Sequence, residues 1–141
     1  MRTIKFRGKK LHNGNWVCGY LTDVDNTPIG KVGIINSKPF SGCEESSMVI
    51  AETIGQFTGL YDKNGKEIYE GDIIEDKKYK YKHLIRYSND KACFTATLVK
   101  YVGDDINENF WESGVTQSWI NECRKEVIGN IHDNEELLTQ N

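Results

Sequence analysis

Short alternating runs of apolar and polar residues, separated by turn residues, dominate this chain of 141 residues. Such runs predict β-strands, and no long segment carries the 3.6-residue apolar period of a helix. Ile4 to Arg7 alternates in this way, and the pair Asn13-Gly14 is typical of a two-residue hairpin turn in which both residues adopt positive φ. The chain is therefore expected to open with a β-hairpin whose return strand covers Trp16 to Leu21.

The region from Thr22 to Ser47 is less regular. Its turn-forming residues surround one apolar stretch, Ile29 to Ile35, which predicts a single strand inside two loops. The segment from Ser37 to Ser47 combines serine, glycine, proline and paired glutamates with few apolar side chains. This composition predicts a mobile loop.

Regularly spaced strands follow in the rest of the chain, which predicts a small barrel or a sandwich. Asn64-Gly65 is expected to supply a turn with two positive-φ residues, and a short helical turn capped by Asp133 is expected at the C-terminus. We expect an N-terminal β unit at residues 1–50 and a barrel region with this helical turn at residues 51–141. The predicted later strands are Thr53 to Thr58, Ile73 to Asp76, Lys78 to Tyr87, Ala92 to Val102 and Lys125 to Ile131.

Several sequence landmarks are spread over nearly the whole chain. They are Ile4 to Lys9, Trp16-Val17 with Gly19, Thr53 to Leu60, Asp62 to Ile74 and Val127 to Ile131. Together they resemble the YopX-like proteins of phages and prophages. The resemblance implies a protein of the bacterial cytoplasm, encoded by a phage or prophage, with an SH3-like barrel toward the C-terminus. It implies no activity and no catalytic or binding residues.

Composition narrows the class of protein. With 38% hydrophobic and 28% charged residues the chain is typical of globular proteins, and neither an export signal nor an 18-residue apolar run is visible. We therefore expect a protein that is neither secreted nor in a membrane. The cysteines form no CxxC pair, which favours free thiols and argues against a zinc knuckle. They are Cys18, Cys43, Cys93 and Cys123.

The charge is distributed unevenly although the net charge is only −3. The first ten residues carry five basic side chains and no acid. From Asp104 onward the sequence contains nine acidic residues and only two basic ones, Arg124 and Lys125. The two ends of the sequence therefore differ in sign, which is relevant to the choice of binding partners.

Catalytic motifs are lacking in the sequence. His12, His83 and His132 fall in separate predicted elements without metal-ligand spacing, and no nucleophile elbow or phosphate-binding loop is present. We expect a protein that is not an enzyme and that has neither metal nor cofactor. An enzyme assembled only in three dimensions stays open, and it would need a deep pocket with converging titratable groups.

One segment, Lys77 to Tyr87, has two chemically distinct faces when it is read as a strand. Tyrosines, His83 and Ile85 occupy one face. The opposite face is basic, and its candidate binding residues are Lys78, Lys80, Lys82 and Arg86. The arrangement fits an edge strand protected by lysines, with its aromatics toward the core. It equally fits a surface that binds nucleic acid without sequence preference.

A protein partner is the alternative to nucleic acid. Phe110, Trp111 and Trp119 could dock a host or phage protein, or they could belong to the core. The sequence leaves the actual partner unknown.

Overall fold

The computed structural model describes residues 1–37 and 45–139. Its contacts divide the chain into two compact units, Met1–Phe57 and Thr58–Asn141. The described residues form two antiparallel sheets, one short α-helix and several 3₁₀ turns. The predicted mainly-β class is confirmed. The division into domains at residues 1–50 and 51–141 stays a prediction.

The first unit is built on one antiparallel sheet with the strand order β4-β3-β2-β1-β5. A 3₁₀ turn, Ala51–Thr53, leads from β4 into β5, and Ile35 and Val49 are completely buried. A single bridge also joins Val49 to Lys10, just beyond β1. The strands are β1 (Phe6–Lys9), β2 (Trp16–Thr27), β3 (Gly30–Ser37), β4 (Glu45–Ile50) and the first residues of β5 (Gly55–Tyr61).

The opening hairpin is confirmed, but the two-residue turn is wrong. Lys9 pairs with Trp16, so the connection between β1 and β2 is longer than two residues. Gly14 has φ of 71°, whereas Asn13 has no positive φ and instead accepts a hydrogen bond on its side chain from the Asn15 N–H at 2.9 Å. The asparagine acts through its side chain, which a dipeptide preference does not reveal.

The loop predicted after Thr22 is also wrong, because β2 continues to Thr27 and pairs with β3 in a long ribbon. The Thr27 hydroxyl donates to the Gly30 carbonyl at 2.7 Å and closes the end of the ribbon. Most residues of this extension are exposed polar groups such as Asp23 and Asp25, so cross-strand pairing sustains the strand without an apolar face.

The predicted mobile loop of residues 37–47 is shorter than expected. Ser37 ends β3, and Glu45, Ser46 and Ser47 begin β4, where they pair with β3. The remaining part of that prediction, residues 38–44, lies outside the described residues.

The second unit contains a five-stranded antiparallel sheet with the order β10-β9-β8-β7-β11. Its pairings do not close a barrel among residues 58–139, so an SH3-like barrel is not confirmed. The end of β5, from Thr58, lies beside β6. The strands are β6 (Glu67–Tyr69), β7 (Asp72–Glu75), β8 (Lys82–Ser88), β9 (Cys93–Leu98), β10 (Glu112–Gly114) and β11 (Glu126–Asn130), and the helical elements are α1 (Gln117–Asn121) and 3₁₀ turns at Val99–Tyr101, Glu122–Arg124 and Glu135–Leu138.

Two apolar clusters form the core of this unit. Burying branched side chains on both faces of the central strands is the main driving force for its folding. One cluster comprises Ile68, Ile74, Ile85, Ala96 and Ile120, with Trp119 and Val127 packed against it. The other comprises Ile73, Leu84 and Val99, with Leu137 and Leu138 packed against it.

Buried aspartates shape the turns of the central landmark block. The Asp62 carboxylate accepts hydrogen bonds from the N–H groups of Asn64 and Lys66 at 2.8 and 2.9 Å. Of the Asn64-Gly65 pair only Gly65 has a positive φ, of 79°, which corrects the predicted two-residue φ signature. The Asp72 carboxylate caps the next turn through the Tyr69 N–H at 2.8 Å. The block therefore has a clear structural role.

The helical elements near the C-terminus differ from expectation in their caps. The predicted final turn is present at Glu135–Leu138, but Asn134 precedes it and no side chain caps it, in contrast to the cap expected from Asp133. The α1 helix was not predicted. Thr116 caps it by accepting the Trp119 N–H at 3.1 Å.

Candidate nucleic-acid interface

The four candidate cations do not share one strand face. The predicted strand from Lys78 to Tyr87 is shorter than expected, because β8 begins only at Lys82 and the residues before it form a turn. Lys78 and Lys80 therefore lie in the β7–β8 turn, whereas Lys82 and Arg86 lie in β8. The structure separates the set into two pairs with different surroundings.

Both cations in the strand are engaged by acids. The Lys82 ammonium lies 3.6 Å from the Glu75 carboxylate on the neighbouring strand β7. The Arg86 guanidinium forms an ion pair with Glu108 and approaches Glu112 to 3.5 Å. These partners neutralise the charge that a phosphate would need, so the strand contributes little to a basic surface.

The β8 strand is the middle strand of its sheet. The interpretation in which lysines protect an edge strand is therefore wrong, because it requires β8 to lie at the edge. Leu84, which the alternation placed on the basic face, is buried, and Tyr87 on the supposed core face is exposed. A central strand has cover on both faces, so strict alternation fails.

A buried carboxylate folds the turn that carries Lys78 and Lys80. Asp76 is only 3% exposed, and it accepts hydrogen bonds from the backbone N–H groups of Tyr79 and, at 3.2 Å, Tyr81. The Asp76 N–H in turn donates to the Tyr81 carbonyl at 3.1 Å, and Lys80 adopts φ of 62°. The carboxylate thus supplies acceptors for two backbone N–H groups of the turn, in addition to the hydrogen bond between the backbones of Asp76 and Tyr81.

Both tyrosines of this turn have solvent-exposed side chains. Tyr79 and Tyr81 are each 57% exposed, and their rings lie roughly parallel, with centroids 5.9 Å apart and an interplanar angle of 26°. The Lys78 ammonium lies 4.9 Å from the centroid of the Tyr79 ring. The prediction that these aromatics face the core is therefore wrong, since they lie in a turn and not in the strand.

Lys78 and Lys80 are exposed, and neither forms an ion pair with any residue of the described ranges. Two stacked aromatic rings and two uncommitted ammonium groups thus occupy one short turn. We name this group, Lys78 to Tyr81, the tyrosine turn.

The base of the tyrosine turn is electrostatically compensated. Lys77 and Lys63 both form ion pairs with Glu126, and the distance from the Lys63 ammonium to the Glu126 carboxylate is 3.3 Å. The hydrogen bond from Lys77, followed by those from Lys63 and Asn64, lowers the pKa of Glu126 to about 2. The same pairing raises the pKa of Lys77. Lys77 therefore anchors the turn, and its charge is already satisfied.

A half-buried histidine, His83, follows the turn in β8. It packs edge-on against Trp119, with ring centroids 5.0 Å apart. Burial, and then the positive charge of Lys125, lower the pKa of His83 to about 4, with Asp76 opposing the shift. At neutral pH the imidazole is therefore uncharged.

The sequence and structure of this chain are similar to those of known proteins. The family model described as "YopX protein" matches residues 5–139. The chain belongs to the YopX family. A solved structure similar to this YopX-family chain is that of protein EF1440 from Enterococcus faecalis, with 27% sequence identity, a TM-score of 0.59 and coverage of 98% of this chain and 99% of that one. No curated protein matches.

Other properties of this YopX-family protein bear on its candidate surfaces. No helix among the described residues is long and apolar enough to cross a membrane. Of the three aromatics proposed for docking, Phe110 and Trp111 are exposed, whereas Trp119 packs against the core. The thiols of Cys18, Cys93 and Cys123 are free, and Cys43 lies outside the described residues.

Sequence reasoning missed the exposed tyrosine pair. The signal that could have revealed it is Asp76, because an aspartate directly after an apolar strand and before a polar run is typical of a side-chain-capped turn. Treating Asp76 as the cap of a turn, and not as a strand end followed at once by a new strand at Lys78, would have moved Lys78 to Tyr81 into the connection.

Proposed function

We propose that this YopX-family protein is a phage or prophage accessory protein that acts by binding single-stranded nucleic acid, and not by catalysis. The observation that carries the proposal is the tyrosine turn, in which Tyr79 and Tyr81 expose stacked rings beside the unpaired Lys78 and Lys80. Single-strand-binding proteins combine these two features, aromatic platforms for bases and cations for phosphates.

Stacking explains why a single strand is preferred. Each base stacked on an aromatic side chain contributes about 1–3 kcal/mol, and every base has a face that can stack. In a duplex those faces are covered by neighbouring base pairs. The tyrosine turn should therefore discriminate single strands from duplexes while it tolerates any sequence.

The cations set a modest dependence on salt. With Lys82 and Arg86 in ion pairs, Lys78 and Lys80 are the candidate cations of this segment that can release counterions from a bound single strand. At about −0.7 per neutralised phosphate, these two lysines should contribute about −1.4 to the log–log slope of affinity against salt. The overall charge of −3 opposes binding weakly, because a screening length of about 8 Å at physiological salt leaves the local surface dominant.

The test measures fluorescence anisotropy of a labelled 12-nucleotide single strand and of its duplex. Replacing both rings, Tyr79→Ala with Tyr81→Ala, should weaken single-strand binding at least about 30-fold, which corresponds to about 1 kcal/mol per ring. Tyr20→Ala is the matched control, since Tyr20 is also 57% exposed but lies on β2. Equal losses in the double variant and the control, or wild-type preference for the duplex, would refute the proposal.

The salt dependence separates the lysines from the rings. Lys78→Gln with Lys80→Asn should reduce the magnitude of the salt slope by about 1.4, and asparagine tolerates the positive φ at position 80. Lys66→Gln, an exposed lysine on another turn, serves as the charge-matched control. A slope that stays near the wild-type value in the double variant would remove these lysines from the interface.

A second candidate function is a protein-interaction module, favoured by the exposed apolar surface before β10. Ile106 and Phe110 are 86% and 76% exposed, and Trp111 stacks on Tyr101 with centroids 5.4 Å apart. Rigid exposed aromatics of this kind are enriched at the centres of protein interfaces. If this surface docks a protein, Phe110→Ser should abolish a nuclease-resistant pull-down from infected cells, whereas Tyr20→Ala should leave it intact.

A further inference from the structure

A polar cleft of about 410 Å³ lies in the second unit, close to the base of the tyrosine turn. Two cations and two side-chain amides line it, and the Glu126 carboxylate lies 3.3 Å from both the Lys63 ammonium and the Asn64 amide nitrogen. The lining residues are Lys63, Asn64, Asn121 and Arg124. This composition is that of an anion site, because ammonium, guanidinium and amide groups all donate hydrogen bonds.

The Asn121 side chain lines the cleft. Its carbonyl oxygen accepts a hydrogen bond from the Gln117 side chain at 3.1 Å, one turn earlier on α1. The amide NH₂ group is consequently left for another partner. The Lys63 backbone N–H donates to the Lys125 carbonyl at 3.0 Å, and the Lys63 ammonium pairs with Glu126.

Arg124 is presented by an unusual backbone. Cys123 and Arg124 have φ of 55° and 49°, which side-chain-bearing residues rarely adopt in succession. Two backbone hydrogen bonds fix this conformation. The Cys123 carbonyl accepts from the Lys77 N–H at 3.0 Å, and the Lys125 N–H donates to the Ile120 carbonyl at 3.1 Å. Strain of this kind persists only where surrounding contacts enforce it, and it is concentrated at functional sites.

The guanidinium of Arg124 is exposed, and within residues 1–37 and 45–139 it forms no ion pair. It is thus free to make two parallel hydrogen bonds to an anion, the geometry in which arginine binds phosphate most strongly. Glu126 lies nearby, but its charge is already compensated by Lys63 and Lys77.

The cleft and the tyrosine turn are joined through one residue. The Lys77 backbone contacts Cys123, the neighbour of Arg124, and Tyr79 follows only two residues later. Two trans peptide units span at most about 7.6 Å, so the Cα atom of Tyr79 lies within that distance of the Cα atom of Lys77.

We propose that this cleft binds a backbone phosphate of the same single strand whose bases stack on Tyr79 and Tyr81. This inference rests on the function proposed above and adds a fixed phosphate position to it. Arg124 provides the bidentate contact, and the Asn121 amide adds a further donor. Affinity should therefore depend on a phosphate one or two nucleotides away from the stacked bases.

The test uses a thymidine hexanucleotide and the variant Arg124→Gln. Losing one charge-assisted bidentate contact should weaken binding about tenfold or more and reduce the magnitude of the salt slope by about 0.7. Lys66→Gln removes the same charge from an exposed residue that does not line the cleft, and it should change affinity less than threefold.

A chemical probe locates the phosphate independently of protein variants. Hexanucleotides with a single neutral methylphosphonate at successive positions should bind the wild type more weakly at one preferred position. Arg124→Gln should no longer distinguish these probes. If Arg124→Gln lowers the melting temperature, Asn121→Asp gives the same test, because it preserves the Gln117 contact and places a repelling carboxylate in the cleft.

The outcomes separate the two proposals. No binding of the hexanucleotide by the wild type at low salt would refute the proposed function. Binding that requires Tyr79 and Tyr81 but is unchanged by Arg124→Gln and indifferent to methylphosphonate position would overturn only the phosphate cleft. Binding of inorganic phosphate that requires Arg124, together with hexanucleotide affinity that Arg124→Gln leaves unchanged, would assign the cleft to free phosphate instead.

Discussion

Protonation of His83 should make the stability of this protein depend on pH between about 4 and 6.5. The unfolded chain titrates near 6.5, whereas burial and Lys125 lower the folded-state pKa to about 4. The unfolded state therefore binds more protons in this window, so the free energy of unfolding falls as the pH falls. At pH 5 the loss attributable to this residue is about 2 kcal/mol, and below pH 4 it approaches about 3 kcal/mol.

The assay is urea denaturation of the wild type and of His83→Phe at several pH values from 8 to 4. Phenylalanine keeps a ring against Trp119 and cannot be protonated, so the difference between the two proteins removes the titration of all carboxylates. We expect the wild type to lose about 2 kcal/mol more than His83→Phe between pH 8 and pH 5. Parallel stability curves for the two proteins, or a larger loss in the variant, would refute the reasoning.

Three further predictions concern the turns and the sheet. Asp76→Ala should lower the free energy of unfolding by about 1–3 kcal/mol, measured by urea denaturation, because two backbone N–H groups lose their acceptor, while Asp76→Asn should cost less. Gly19→Ala should reduce the melting temperature strongly, since a Cβ there would lie 2.1 Å from the Asn36 carbonyl oxygen; Gly114→Ala, with 3.9 Å to its nearest neighbour, is the control. Limited proteolysis should cut first within residues 37–47, and early cleavage between Ile54 and Ile74 would contradict this.

The hydrophobic pattern predicts strands well where one face is buried and the other is not. The first half of β2 shows such a pattern, because partly buried and exposed residues alternate from Val17 to Thr22. In β1 the pattern expected from the sequence is wrong, since the neighbours Arg7 and Gly8 are the buried residues. The extension of β2 to Thr27 could not be predicted in this way, since exposed polar residues hold that ribbon by backbone pairing alone. A periodic signal requires a buried face.

The candidate site was found in the right stretch of sequence but with the wrong geometry. Lys78 and Lys80 remain plausible ligands for phosphate, whereas Lys82 and Arg86 are engaged by acids from other parts of the chain. Whether β8 is a central or an edge strand depends on β7 and β9 lying on either side of it, which is long-range information. Arg124 was invisible to sequence reasoning, because the role proposed for it depends on the contact between Lys77 and the neighbouring residue Cys123.

The cap supplied by Asp76 has an evolutionary consequence. Its carboxylate and backbone fix the course of the turn, so the side chains at positions 78 to 80 project into solvent without supporting the core. Positions 78 and 79 can accept other residues, and position 80 needs only a residue that tolerates positive φ. Related proteins that keep the aspartate can thus exchange the ligand-facing residues and acquire new specificities while the fold stays the same.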